Sequence, residues 1–146
     1  PSLPEPFTAS RYEDAQRFQN YSCSPVMEGF EPDTHAAEQW SDPFKGGWIA
    51  HKQGSCIKFN VSGGIIMVQY RKTINKPAPV AYAVIDGDRQ NKVLLDANFD
   101  EDWGDLCCLE EIYSGAKGEH TVEIVIDTEG KENSDFMLIS VITANK

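Results

Sequence analysis

Positive charge is what this 146-residue sequence has least of: 13 lysines and arginines stand against 23 aspartates and glutamates, a formal net charge of −10. Nucleic acids and anionic membrane surfaces bind through a field of the opposite sign, so neither is an expected partner. Long apolar runs are also missing, and none approaches the roughly 20 residues that cross a bilayer as a helix. The chain opens Pro1-Ser2-Leu3-Pro4-Glu5-Pro6, without the basic start or apolar stretch of a signal peptide. That leaves three readings: a leader already removed, an excised piece, or a cytosolic protein.

Catalytic and metal-binding motifs are equally scarce. There is no G-x-S-x-G nucleophile turn, and Gly87-Asp88-Arg89 carries arginine where a Gly-Asp-Ser block needs its nucleophile. His35, His51 and His120 lie far apart, and His120 opens a strand straight after a tight turn, the place of a histidine that bonds turn backbone. No C-x-x-C or H-x-x-x-H spacing exists, so a zinc site is not expected. Asp96, Asn98, Asp100 and Asp102 alternate like calcium ligands. An EF-hand nevertheless fails at Glu101, where glycine is required, and at Cys107, where a bidentate glutamate is required. No cofactor is expected; a structural calcium held partly by backbone carbonyls is left open beside a plain solvated acidic loop. Cys23 and Cys56 are isolated and Cys107-Cys108 adjacent, which allows a Cys23–Cys56 bridge in an oxidising compartment or free thiols packed as small hydrophobes.

Forty per cent of the residues are hydrophobic and 10% aromatic, too many for a disordered chain. The length suits one domain over residues 1–146, with 1–10 as a linker or tail. Residues 11–20 suit a short helix or a strand lead-in, and 21–44, broken by Pro25, Pro32 and Pro43, suit short edge strands. Beyond Gly46-Gly47 the period is two. Ile57, Phe59 and Val61 share a face, Ser62-Gly63-Gly64 turns the chain, and residues 65–71 (IIMVQYR) follow as a strand apolar on both faces at first. Residues 80–85 (VAYAVI) end in Asp86-Gly87 and are answered by 92–96 (KVLLD), a hairpin signal. Residues 106–113 (LCCLEEIY) fit a helix through Leu106, Leu109 and Ile112, or a strand. Residues 120–126 place Val122, Ile124 and Ile126 inward, and 136–143 form the last strand. Strands at this spacing, with no amphipathic helix between them, predict an all-β antiparallel sandwich of jelly-roll type.

The aromatic residues are the most informative about function. Trp40, Trp48 and Trp103 stand in polar, turn-rich segments, and Tyr82 faces away from Ala81 and Ala83. A flat ring edged by carboxylates and amides suits a sugar, whose C–H bonds stack while its hydroxyls hydrogen-bond. Trp103 with Asp100 and Asp102, Trp40 with Gln39, and Tyr82 are therefore the candidate ligand-binding residues, whereas Trp48 reads as core. The acidic groups cluster near these tryptophans, which favours a neutral, hydroxyl-rich ligand.

The series Gly46-Gly47-Trp48, Gly54-Ser55-Cys56-Ile57-Lys58-Phe59, 65–70, Ala83-Val84-Ile85-Asp86-Gly87 and Gly118-Glu119-His120-Thr121-Val122-Glu123-Ile124 resembles the jelly-roll accessory domains beside SGNH/GDSL-type carbohydrate esterases. It is similar in particular to the N-terminal domain of family 2 carbohydrate esterases, and to carbohydrate-binding modules. The resemblance spans about two thirds of the chain, from Trp40 onward. It implies a jelly roll that binds or positions polysaccharide while a separate, covalently linked domain hydrolyses. Together with the aromatic residues and the charge, the expectation is a non-catalytic module that binds a polysaccharide or oligosaccharide of neutral plant type, a glucan or xylan. These residues hold no counterpart of the serine hydrolase part, so esterase activity is not expected of them. The alternatives are an interaction domain that only docks on an esterase or glycoside hydrolase domain and, more weakly, a small metal-dependent enzyme. A secreted or cell-surface location is the expectation, with the cytoplasm left open.

Overall fold

A computed structural model describes residues 14–34, 44–128 and 135–145. Eleven strands make up its regular structure: β1 (Gln16–Phe18), β2 (Val26–Glu28), β3 (Phe30–Pro32), β4 (Trp48–Ala50), β5 (Cys56–Ser62), β6 (Ile65–Lys72), β7 (Val80–Ile85), β8 (Val93–Asp96), β9 (Leu106–Ser114), β10 (Glu119–Ile126) and β11 (Phe136–Ala144), with one 3-10 turn at Arg89–Asn91. They form two sheets. The first runs β3-β4-β11-β6-β9, with β1 also on β11; the second runs β2-β5-β10-β7-β8. Every strand pair is antiparallel. The protein is the all-β sandwich that the strand spacing predicts.

From β4 onward the chain crosses between the sheets at nearly every connection, and the β7–β8 hairpin is the exception. The inward faces meet in one core. Alternation buries Ile57, Phe59 and Val61 of β5 and Val122, Ile124 and Ile126 of β10, as period two requires. Trp48 reaches across from β4 to meet the Phe59 ring edge-on at 5.0 Å, and Tyr70 stacks on Phe136 at 5.8 Å. Trp48 is only 1% exposed, a core residue as its flanking sequence suggests. Strand β6 is buried on both faces: Ile66, Val68 and Tyr70 enter the main core, while Ile65 and Met67 join Ala144 and Ile142 in a second cluster.

Several local expectations resolve. Residues 106–113 are strand, not helix: β9 pairs with β6 from Lys72↔Leu106 to Ile65↔Ser114. The long free edge of β6 supplies backbone partners that outweigh the helical spacing, and Leu109 is left 54% exposed as a result. Of residues 11–20, the described ones, from 14 on, hold the short strand β1 and no helix, on the far half of β11. The Asp-Gly hairpin exists, but its ladder ends at Ala83↔Val93 and the 3-10 turn widens the loop. Asp86 and Gly87 both have positive φ, 52° and 74°, as that dipeptide favours.

Candidate functional site

Trp103 sits on the loop of residues 97–105 that carries the chain from β8 to β9, at one end of the sandwich. Backbone bonds fasten this loop to the β6–β7 connection: Thr73 N donates to Ala97 O at 2.7 Å and Phe99 N to Thr73 O at 3.0 Å. The Asp105 carboxylate accepts from Ile74 N at 3.2 Å and lies 3.9 Å from Arg71 Nε. On this fixed base Trp103 is 64% exposed, its ring set edge-on against Phe99 at 5.4 Å. The ring is therefore oriented yet open to solvent.

Lys76 organises the acidic side of the same loop. Its ammonium donates to Asn98 Oδ1, to Phe99 O at 3.2 Å and to Asp100 Oδ1 at 2.9 Å. Asn98 Nδ2 donates to the same carboxylate oxygen at 3.0 Å. These bonds, the Lys76 bond foremost, hold the Asp100 carboxyl below the usual carboxylate range. Asp96 Oδ1 is taken by Asn98 N at 2.9 Å. Of the oxygens whose alternation suggested calcium, those of Asp96, Asn98 and Asp100 thus receive an ammonium or amide donors from the chain itself. Among the described residues, no group of three or more His, Cys, Asp or Glu side chains is placed to hold a metal ion.

Tyr82 lies elsewhere. It stands on the outer face of the second sheet, paired with Leu94 on one side and Val125 on the other, with Lys92 Nζ 4.1 Å from its ring centroid. The structure brings Trp103 together with Phe99 and Asp100 with Lys76, whereas Tyr82 packs with Lys92. Asp102 is exposed beside Trp103. Trp40 and Gln39 lie outside the described residues. Cys23, Cys56, Cys107 and Cys108 are half-buried free thiols, so the Cys23–Cys56 bridge is absent. Burial raises the thiols of Cys23, Cys56 and Cys107.

The opposite end of the sandwich holds a polar cluster that the sequence reading passed over. His120 Nδ1 donates to Asp86 Oδ2 at 2.7 Å and Nε2 to Ala116 O at 2.8 Å. Asp86 Oδ1 accepts from Thr121 N at 2.8 Å. His120 bonds turn backbone, as its position after a turn suggests, but it also ties the β7–β8 turn to the β9–β10 turn. The hydrogen bond to Asp86 is the main cause of its raised pKa. Beside it a groove of about 360 Å³ runs between the 3-10 turn and the end of β9, lined by Ile85, Asp86, Asp88, Asn91, Tyr113 and Ser114. Through Asp86 it adjoins a wider cleft of about 710 Å³ along Asn60, Ser62 and Thr121. Only the strand assignment of residues 106–113 places Tyr113 here, which is why local pattern gave no signal for it.

No family model and no curated protein matches the chain. Solved structures do. A two-domain esterase active on acetylated mannans, also co-crystallised with mannopentaose, superposes with a TM-score of 0.92 and 42% identity. The match covers 100% of this chain, which spans only 40% of the length of that esterase. A family two carbohydrate esterase from Cellvibrio japonicus matches at 13% identity and TM-score 0.60, over 91% of this chain and 34% of its own. A family 35 carbohydrate-binding module from the same organism matches at 13% and 0.54, over 91% and 99%. At such identities the last two show a shared fold alone. The resemblance to the sandwich part of carbohydrate esterases and to carbohydrate-binding modules therefore holds in three dimensions.

Proposed function

We propose that this chain is the polysaccharide-binding β-sandwich domain of a carbohydrate esterase, that its ligand is a neutral β-mannan, and that Trp103 is its stacking surface. The observation that carries this reading is the 42% identity, along the whole chain, to part of an esterase active on acetylated mannans. It moves the expected polymer from glucan or xylan to mannan. In this reading the exposed, edge-supported ring of Trp103 takes the C–H face of a sugar, and Asp100 and Asp102 accept from its hydroxyls. Hydrolysis belongs to the domain linked to it, and a secreted or cell-surface location follows from a polymeric substrate.

The docking-only reading calls for a contiguous apolar face. Among the described residues the exposed aliphatic side chains Val26, Leu109 and Leu94 instead stand apart, Val26 and Leu94 on opposite edge strands of the second sheet and Leu109 on an edge strand of the first. Leu94 pairs with Tyr82 on the second sheet and Leu109 with Gln69 on the first. Affinity electrophoresis in gels containing glucomannan, galactomannan, xylan or mixed-linkage β-glucan tests the proposal. Retardation should be strongest in the mannan gels, and Trp103→Ala should weaken it about tenfold, the loss of one stacking partner. No retardation in any gel sinks the binding role, and retardation by xylan or β-glucan alone sinks the mannan assignment.

A further inference from the structure

The groove at the turn end opposite Trp103 takes no part in the function just proposed. One wall is Tyr113, near the end of the edge strand β9. Its ring is held from several directions: the His120 imidazole lies 4.4 Å from it, centroid to centroid, and its hydroxyl donates to Ala116 O at 3.3 Å. Gly115 comes so close that a Cβ there would lie 2.8 Å from the tyrosine oxygen. The facing wall is the 3-10 turn, where Asn91 Nδ2 donates to Asp88 Oδ2 at 2.7 Å and fixes both polar groups. Ile85 gives the groove an apolar contact, Asp86 and Ser114 edge it, and among the described residues no lysine or arginine lines it.

A pinned aromatic ring opposite an oriented amide–carboxylate pair is what a sugar ring needs: a face to stack on, acceptors for its hydroxyl protons and a donor for its oxygens. With no lysine or arginine among the described lining and the charge of His120 already met by Asp86, a phosphorylated or uronic ligand is disfavoured. We propose that this groove is a second saccharide-binding site, taking a neutral oligosaccharide, independent of the one at Trp103. The nine-residue strand β9 separates the two ends by roughly 25 Å. Two sites so placed engage separate segments of a polymer, and their avidity exceeds the affinity of either for a short oligosaccharide.

Amide NMR spectra of the intact chain, titrated separately with mannopentaose, cellopentaose and xylopentaose, test this. At least one sugar should shift amides of residues 86–91 and 112–115. Tyr113→Ala should weaken that response about tenfold while the Trp103 fluorescence titration is unchanged. Because Tyr113→Ala also loosens His120, Asn91→Ala on the exposed turn serves as the second variant and should weaken the same response. Shifts confined to residues 98–105, or no shifts with any of the three sugars, overturn the second site; so does a response at the groove that both variants leave intact. Shifts confined to the groove uphold it and remove Trp103 from the function proposed above.

Discussion

Both ring nitrogens of His120 face acceptors, the Asp86 carboxylate and the Ala116 carbonyl, so the two bonds are made together only by the protonated ring. Its pKa is raised by the hydrogen bond to Asp86, and Asp86 is lowered chiefly by the same bond. The signs are opposite in consequence. The stabilisation from His120 is complete below its ordinary value of 6.5 and is lost as pH rises through the higher folded value. That from Asp86 is complete above 3.8 and is lost as pH falls through the lower folded value. Thermal unfolding should therefore be most resistant in the mildly acidic range. The midpoint should fall by a few degrees towards alkaline pH, and His120→Gln should flatten the slope. A slope unchanged in that variant would show that the pair does not couple to folding. The role of His120 as a turn-bonding histidine was legible in sequence because it follows a tight turn; its carboxylate partner, 34 residues away, was not.

At the scale of elements, β11 organises the first sheet by serving two partners on one edge. It pairs with β4 through Leu138, passes a bulge, and pairs with β1 from Val141. The junction is closed by side-chain amides: Gln19 Nε2 donates to Ile139 O at 3.1 Å and to Lys45 O at 3.0 Å, and Asn20 Nδ2 to Gly47 O at 2.8 Å and to Asp33 O at 3.0 Å. Gly47 lies so close to the bulge that a Cβ would come within 1.9 Å of Leu138 O. Backbone cannot yield there as a flexible side chain can. Gly47→Ala should lower unfolding stability by about 1–3 kcal/mol in a denaturant titration; an unchanged midpoint would mean that β4 is not seated against β11 in this way. The strands β5 and β10 were legible because each buries one face and so writes period two into the sequence, and β6, β7 and β11 as apolar runs of strand length bounded by turn residues. The short strands β2 and β3 were expected within 21–44 but not located, since three residues are too few to show a period, β1 was left open between helix and strand lead-in, and β9 was ambiguous because an edge strand is only half constrained by burial.

At the scale of the molecule, a net charge of −10 and a neutral polymer make one expectation sharp. Binding that rests on stacking and hydrogen bonds should change little between about 50 and 500 mM sodium chloride, a range over which screening abolishes long-range attraction. Gel retardation that collapses with salt would instead indicate a charged ligand. The acidic loop beside Trp103 supports this reading, since Asp100 is already committed to Lys76 and Asn98 and is oriented as an acceptor.

The sequence by itself determined that this is an all-β sandwich with Trp48 inside it, because alternation and turn residues record which side of each strand is buried. It also put Trp103 on an acidic loop and carried a resemblance to accessory domains of carbohydrate esterases. Only the tertiary structure decided which of those residues meet. It placed Tyr82 under Lys92 on an outer sheet face, Trp103 against Phe99 at one end, and Tyr113 against His120 at the other. The physical reason is that burial is a local property of each strand, whereas a site is assembled from turns distant in sequence, and strand order and register bring them together.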